Sequence, residues 1–219
     1  MLYSFTERDH LPSLAPVPGL VVRQSDDAEL LAAIGKLTTD EVRARFANHN
    51  RAYVAFLVGT PAAFGWLALE TARIGELNHE FALPGQHGYL WNFRTLPEYK
   101  GKGIYPLLLQ YIINDKQSAV RNFWIMHAPE NLASKRGIEK AGFVFKADVS
   151  LMDAQNVICK AEQPVEGDII QKTFGFTPVE GSLATCWNCS SPYIKNKTEC
   201  CCTAKGADCS AGEVAAMRS

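Results

Sequence analysis

The feature that most constrains the fold is a stretch that begins at Tyr89, YLWNFRTLPEYKGKGIYPLLLQYII. Tyr89 to Leu96 is mostly aromatic and apolar, which predicts a central strand. Gly101 and Gly103 then predict a tight turn. Ile104 to Gln117 carries apolar residues on almost every side, which predicts a helix packed on a sheet. The stretch therefore predicts a strand, a glycine turn and a buried helix in direct succession.

A turn of this kind presents unpaired amide N–H groups and the positive end of a helix dipole at one point. Phosphate groups bind at such points, because the amides donate hydrogen bonds and the dipole favours negative charge. Lys100 and Lys102 add positive charge beside the turn. The alternative interpretation is a strand-to-helix connection that needs glycine only to reverse direction. A pair of glycines alone does not separate these two interpretations.

Two motifs, in this order, resemble those of the GNAT acyltransferase superfamily. The segment PEYKGKGI resembles its pyrophosphate loop, and residues 131–143, NLASKRGIEKAGF, resemble its later N-x-x-S…E-K-x-G-F segment. The resemblance covers about residues 19–152. It implies a mixed α/β (α+β) fold, with a mostly antiparallel central sheet flanked by helices. It also implies an N-acyltransferase, most simply an N-acetyltransferase, with acetyl-CoA as the acyl donor.

The pattern divides the chain into three regions. Residues 1–18 contain three prolines and no sustained period, which predicts an irregular arm. Residues 19–161 form the GNAT-like domain, and residues 162–219 are a linker and a cysteine-rich tail. Within the domain, residues 73–86 are open between an extra strand and a substrate-facing loop. The other predicted elements are a strand at 19–24, two helices opening at Ser25 and Thr38, a hairpin over 52–70 with its turn at 59–61, a buried strand at 122–126, a helix from Asn131, and paired strands at 143–152 and 153–161.

The resemblance implies where the coenzyme binds. Backbone groups near Thr95 and Leu96 would bond the pantetheine arm, and the amides of the glycine turn would hold the pyrophosphate. Glu98 stands where the family pattern often has Gln or Arg, which removes one phosphate contact. The predicted cofactor-binding residues are Thr95, Leu96, Lys100, Gly101, Lys102, Gly103, Ile104, Tyr105, Asn131 and Ser134.

Acyl transfer to an amine needs a route for the amine's proton and a donor for the departing thiolate. Many family members supply that donor from a tyrosine at the position of Ile138, which has no proton to give. Another hydroxyl or a water must serve, or the reaction depends on proximity and orientation. Asn131 has an equally good interpretation as a helix cap, and a lone histidine is more often structural. The predicted catalytic residues are Glu80, His127 and Asn131, with Glu70 and His79 as further candidate bases.

Six of the seven cysteines fall in the last 34 residues. A C-x-x-C pair presents two thiolates to one ion, and two later cysteines would complete a tetrahedral zinc site. Six thiols also allow an iron–sulfur cluster, redox-active thiols or a tail without a ligand. The predicted metal ligands are Cys186, Cys189, Cys200, Cys202 and Cys209, with Cys201 among the later candidates.

Composition limits the classes of partner. The net charge is -1, from 22 basic and 23 acidic residues, which argues against a nucleic-acid or membrane-surface binder. No apolar run approaches a membrane span and no secretion signal is recognisable, which predicts a cytoplasmic protein. The expected partner is a small-molecule or peptide amine. The oligomeric state, including a homodimer, stays open. The rival hypothesis is a non-catalytic CoA-binding module whose tail senses metal or redox state.

Overall fold

The structure, a computed structural model, describes residues 1–152, 155–181, 183 and 186–194. Its centre is a nine-stranded sheet in which most neighbouring strands are antiparallel, and a separate two-stranded sheet packs beside it. The predicted fold class, a mostly antiparallel sheet flanked by helices, is confirmed. The strands are β1 (Leu2–Thr6), β2 (Leu20–Ser25), β3 (Arg51–Leu57), β4 (Thr60–Ala68), β5 (Thr71–Ile74), β6 (His79–Ala82), β7 (His87–Thr95), β8 (Asn122–Met126), β9 (Val144–Met152), β10 (Asn156–Ala161) and β11 (Thr177–Pro178).

In the described part of the chain, six α-helices pack against these sheets, and two short 3-10 turns cover Gly75–Leu77 and Pro97–Tyr99. The order of strands in the large sheet is β11-β10-β9-β1-β8-β7-β4-β3-β2, and β5 pairs only with β6. The helices are α1 (Ala28–Gly35), α2 (Thr39–Ala47), α3 (Ile104–Lys116), α4 (Leu132–Lys140), α5 (Pro164–Phe174) and α6 (Trp187–Ser190).

The first strand differs from the sequence prediction. Residues 2–6 form β1, which lies between β8 and β9 and is antiparallel to both. The prediction of an irregular arm over residues 1–18 is therefore wrong for this segment. Leu2, Tyr3, Ser4 and Phe5 are all buried, because a central strand is covered on both faces. Such a strand shows no polar–apolar alternation, and the three prolines lie after it.

The helices lie on two opposite faces of the sheet. Tyr53 and Ala55 of β3 belong to a core that includes α3 and α4. Ala52 and Val54, which alternate with them, belong to a second core with α1 and α2. A third core joins the β5–β6 hairpin, α5 and α6 to the β8, β9 and β10 part of the sheet. Each face of the sheet is therefore covered by different helices.

The described residues after Ala161 form more secondary structure than the predicted linker. The helix α5 packs on β10 and β6, and β11 extends the sheet beyond β10. The side chain of Trp187 in α6 donates from Nε1 to the carbonyl of Val149 in β9 at 2.7 Å. The core therefore continues past residue 161. The region 73–86 resolves into the β5–β6 hairpin, the extra-strand alternative.

The central parallel pair separates part-way along its length. Strands β7 and β8 pair from His87 opposite Asn122 to Leu90 opposite Ile125, and the pairing then stops. Strand β7 continues for five more residues to Thr95, still paired with β4 on its other side. The edge of β7 that faced β8 is therefore open from Trp91 onward, which leaves backbone polar groups without a strand partner.

Candidate active site

The glycine turn lies directly after this open edge. Gly101 and Gly103 have φ angles of 78° and 75°, a left-handed conformation that favours glycine. A Cβ at either position would meet no atom within 4 Å, so open space lies beside the turn. Within the described part of the chain, the amides of Gly101, Lys102 and Gly103 donate no hydrogen bond. Since α3 begins at Ile104, these amides and the helix N-terminus together form a potential anion site.

The backbone of β7 distinguishes between the two predicted pantetheine contacts. The amide of Leu96 donates to the carbonyl of Ala62 at 2.8 Å, and the carbonyl of Leu96 accepts from the amide of Tyr99 at 3.0 Å. Both backbone groups of Leu96 are therefore occupied. Peptide groups alternate along a strand, so those of Thr95 point away from β4, toward the open edge. Thr95 is therefore the better placed of the two residues to bond a ligand.

A β-bulge interrupts β7 inside the open segment. The register of β4 with β7 shifts between Phe64 and Trp66, and Asn92 has a φ of 50°. The Phe93 ring lies so close to Gly65 that a Cβ there would be 2.1 Å from the ring. Phe93 packs on Tyr105 with ring centroids 5.5 Å apart. A glycine in β4 thus makes room for the bulge.

The same aromatic pair reaches α4. A Cβ on Gly137 would be 2.3 Å from the Tyr105 ring, so this helical glycine allows α3 and α4 to approach closely. The Tyr105 hydroxyl lies 3.4 Å from Ser134 Oγ. Burial raises the pKa of Tyr105, which keeps its hydroxyl protonated. The structure therefore brings together Tyr105 and Ser134, two predicted cofactor-binding residues, at the first turns of two helices.

Asn131 caps α4. Its side-chain Oδ1 accepts from the amide of Ser134 at 3.0 Å, as the alternative interpretation predicted. Ile138, one turn after Ser134, is fully buried in the core. It contributes packing at the position where the resemblance implies a tyrosine in many family members.

His127 follows β8 and is buried, with 5% of its surface exposed. Its Nδ1 lies 2.7 Å from the carbonyl of Ala128, and since a carbonyl only accepts, Nδ1 carries the proton. Nε2 then has the lone pair, but that atom is buried and has no partner among the described residues. Desolvation lowers the pKa of His127 to about 4. An acceptor amine cannot reach Nε2 in this conformation, which disfavours His127 as the base.

The other three candidate bases lie elsewhere. His79 Nε2 is 2.6 Å from the carbonyl of Phe174, so His79 anchors α5 to the β5–β6 hairpin. Glu80 is exposed on β6 opposite Arg73. Glu70 Oε2 is exposed and lies 3.9 Å from His49 Nε2. The structure does not bring Glu80 together with His127 or Asn131 through any contact among the described residues.

A cluster that the sequence analysis missed lies on the α2 face of the sheet. The Arg45 guanidinium lies over the rings of Trp66 and Trp91, at 5.0 and 4.6 Å. The Trp91 Nε1 donates to Asn50 Oδ1 at 3.1 Å. The amide of Asn92 is oriented so that Oδ1 accepts from both Nη atoms of Arg45, at 2.7 and 3.1 Å. Nothing in the sequence signals this cluster, because its members come from α2, β4 and β7.

The loop before α4 has a second unforeseen contact. Both carboxylate oxygens of Glu130 accept hydrogen bonds from backbone amides at the start of α6, those of Trp187 at 3.1 Å and Asn188 at 2.8 Å. The hydroxyl of Ser191 donates to the carbonyl of Glu76. Residues 186–194 therefore connect the Asn131 loop to the β5–β6 hairpin.

The predicted metal ligands are described only in part. The Sγ atoms of Cys186 and Cys189 lie 3.3 Å apart. Among the described residues, no group of three or more His, Cys, Asp or Glu side chains is arranged to hold a metal ion. Cys200, Cys201, Cys202 and Cys209 lie outside the described residues, so the zinc site stays a prediction. In the same part of the chain, no helix has the length and apolar content needed to cross a bilayer.

A comparison with protein-family models matches residues 22–143 to the acetyltransferase (GNAT) family. This match covers more than half of the chain. The chain belongs to the GNAT acetyltransferase family. The matched segment contains the open edge of β7, the glycine turn and all of α4, whereas β1 and everything after Phe143 lie outside it. No curated protein sequence matches the chain.

Solved structures of GNAT proteins resemble the chain at low sequence identity. A GCN5-related N-acetyltransferase from Kribbella flavida is 16% identical, with 65% of this chain and 52% of that one covered, at a TM-score of 0.47. The chain thus spans about half the length of that protein. The ribosomal-protein-S18-alanine N-acetyltransferase from Escherichia coli is 17% identical, with 60% and 81% covered, at a TM-score of 0.47. A protein from Clostridium acetobutylicum that is described as a predicted acetyltransferase, solved with acetyl-CoA, is 18% identical, with 61% and 96% covered, at a TM-score of 0.44.

The helix cap at Asn131 should contribute to the stability of the protein. Asn131→Ala removes the acceptor for the amide of Ser134 and should lower the free energy of unfolding by about 1 kcal/mol. Asn131→Ser keeps an acceptor oxygen and should retain most of the stability. Urea denaturation measures both variants. If both variants unfold like the wild type but lose turnover, Asn131 acts on the coenzyme or the acceptor and not chiefly as a cap.

The burial of His127 should make the stability of the protein depend on pH. Its pKa is about 4 in the folded protein, against 6.5 for an exposed imidazole. Between these values the unfolded chain binds a proton that the folded chain does not, so stability falls as the pH is lowered from 6.5 to 4. His127→Gln should flatten this part of the stability profile in urea denaturation. An unchanged slope in the variant would contradict the assignment.

Proposed function

We propose that this GNAT protein transfers an acetyl group from acetyl-CoA to an amine. The observation that carries the proposal is the open edge of β7, which leads directly into a glycine turn with three unbonded amides. The amides of residues 101–105 would bind the pyrophosphate, with Lys100 and Lys102 as nearby cations. The peptide groups of Thr95 would bond an amide of the pantetheine arm. A strand edge suits this arm because its amides can replace the missing strand partner.

In the proposed reaction, the neutral amine nitrogen attacks the thioester carbonyl carbon. The C–N bond forms, the C–S bond breaks, and the thiolate of CoA leaves with the electron pair. The nitrogen loses a proton, and the thiolate gains one. Because Ile138 has no proton and His127 Nε2 is buried, we assign the main catalytic contribution to holding the two reactants in the attacking geometry, with solvent carrying the protons.

Substitution in the glycine turn tests donor binding. Gly103→Asp places a carboxylate in the open space beside the unbonded amides, so acetyl-CoA binding should become undetectable by calorimetry. Gly59→Asp is the matched control, because Gly59 also has a left-handed φ, 78°, and open space around its Cβ, in the hairpin turn between β3 and β4. This control should bind acetyl-CoA like the wild type. Equal affinities of the two variants would refute the pyrophosphate site.

A measurement of turnover distinguishes the proposed transferase from the alternative, a non-catalytic CoA-binding module. Release of free CoA thiol should be measured with acetyl-CoA and a panel of small amines and peptides. Thiol release that requires an amine, and that is lost in Gly103→Asp, supports the transferase. Normal acetyl-CoA binding with no amine-dependent release across the panel would favour the non-catalytic CoA-binding module.

We also propose that Cys186 and Cys189 hold a zinc ion together with two cysteines of the later tail. The support is their clustering in the sequence and the 3.3 Å between their Sγ atoms. Tetrahedral zinc with sulfur ligands needs about 3.8 Å between sulfurs, which a small rotation provides. Four thiolates leave no open coordination position, so the site would be structural.

Elemental analysis tests this site. Protein purified under reducing, anaerobic conditions should contain about one zinc per chain, and replacing both Cys186 and Cys189 by Ser should remove it. Cys159→Ser is the control, because Cys159 is a buried thiol in β10 and should not affect metal content. Metal-free wild-type protein would rule the site out. If the protein instead contained iron and labile sulfide, the site would be an iron–sulfur cluster and not a zinc site.

A further inference from the structure

The Arg45 cluster consists of Arg45, Trp66, Trp91 and Asn92. Arg45 lies in the last turn of α2, and its guanidinium contacts the faces of both tryptophan rings. Cation–π contacts of this kind hold the guanidinium in place while leaving its N–H edges available. The cluster lies on the α1–α2 face, opposite the face that α3 and α4 cover.

The guanidinium has more donors than the protein uses. Arginine has five N–H donors, and Asn92 Oδ1 accepts from two of the nitrogens. Among the residues that the structure describes, no carboxylate forms an ion pair with Arg45. Its nearest acidic neighbour by sequence, Glu41, is instead bonded to the amide and hydroxyl of Thr38 at 2.7 and 3.0 Å. Asp40 pairs with Arg43 at 3.2 Å.

The Arg45 guanidinium, which has no direct ion pair among the described residues, is also half-buried. Desolvation lowers the pKa of Arg45 from its ordinary value, against a smaller opposing effect of the exposed Glu41 carboxylate, and the group stays charged. A partly desolvated charge that no carboxylate contacts directly is unfavourable, and a carboxylate that reaches it forms a short, strong bidentate pair. The chemistry of the cluster therefore suits a carboxylate from outside the described chain.

The position of the cluster connects it to the donor site. Asn92, which Arg45 contacts, is the left-handed bulge residue of β7. It lies beyond Leu90, where pairing with β8 ends, and before Thr95, whose peptide faces the open edge. A molecule held by Arg45 thus approaches the open edge from the face opposite α3. The proposed pyrophosphate site, at the N-terminus of α3, lies on the other face, so the two proposed sites do not overlap.

We propose that Arg45 binds the carboxylate of the acceptor, so that the acceptor is an amine that also carries a carboxylate, such as a free amino acid. This inference depends on the proposed transferase function for its substrate role. Arg45 is then a specificity-determining residue. The tryptophans orient the guanidinium, and Asn92 couples it to the bulge.

Matched pairs of amines test the proposal. L-Amino acids and their carboxamides differ at the carboxylate, and the carboxamides have the less basic, more readily deprotonated amine. The wild type should nevertheless prefer the acids in kcat/KM, mainly through a lower KM. Arg45→Gln should lose about tenfold or more with the acids, with little change for the carboxamides. Arg45→Lys should recover part of the preference, because lysine keeps the positive charge but lacks the planar guanidinium that binds a carboxylate with two hydrogen bonds.

A control on the same helix separates specificity from folding. Arg43→Gln removes an exposed arginine of α2 that pairs with Asp40, and it should leave both substrate classes unaffected. Acetyl-CoA affinity and melting temperature should stay near the wild-type values in Arg45→Gln. A wild type without preference for the acids would overturn the proposal. An equal loss for acids and carboxamides in Arg45→Gln would also overturn it, since that result means a structural role.

Equilibrium binding keeps this test independent of turnover. Calorimetry with the same amino acids in the presence of CoA should give heats that are lost in Arg45→Gln and kept in Arg43→Gln. If no amine is acetylated but this pattern appears, the transferase function fails and carboxylate recognition stands. If the amino acids do not bind the wild type, carboxylate recognition fails, while amine-dependent thiol release with other acceptors would still support the transferase.

Discussion

The structure depends on one constraint, the separation of β7 from β8 after four paired residues. Backbone amides and carbonyls at an open edge need hydrogen-bond partners, and a sheet interrupted at its centre does not supply them. The chain holds the two halves of the sheet together by other means, with α3 and α4 on one face and α1, α2 and the β5–β6 hairpin on the other. The opening is therefore a fixed feature of the packing, and a ligand with amide groups is suited to fill it.

The bulge at Asn92 couples the two faces of the sheet at this opening. On the α3 side it coincides with the placement of Phe93 over Gly65 and against Tyr105, beside the glycine turn. On the α2 side it presents the Asn92 oxygen to Arg45. One irregularity in a strand thus helps to shape both the proposed donor site and the proposed acceptor site, as bulges beside active sites often do.

The parts of the chain outside the family match complete the second half of the molecule. Strand β1 lies between β8 and β9 and pairs with both, and Trp187 packs in the core against β9. Glu130 joins α6 to the loop that leads into the Asn131 cap. The described residues after 161 therefore contact the loop that leads into α4, beside the proposed donor site, although the sequence presents this region as a linker.

The sequence by itself determined the features that depend on local signals. These include the glycine turn, the strand at residues 122–126, the Asn131 cap and the family. Neighbouring residues produce them through backbone conformation, capping and short-range periodicity. Only the tertiary structure decided that residues 2–6 enter the sheet, that His127 Nε2 is buried, and that Arg45 lies over Trp66 and Trp91. Each of these features joins residues far apart in the chain, and burial and pairing at such separations leave no local pattern to read.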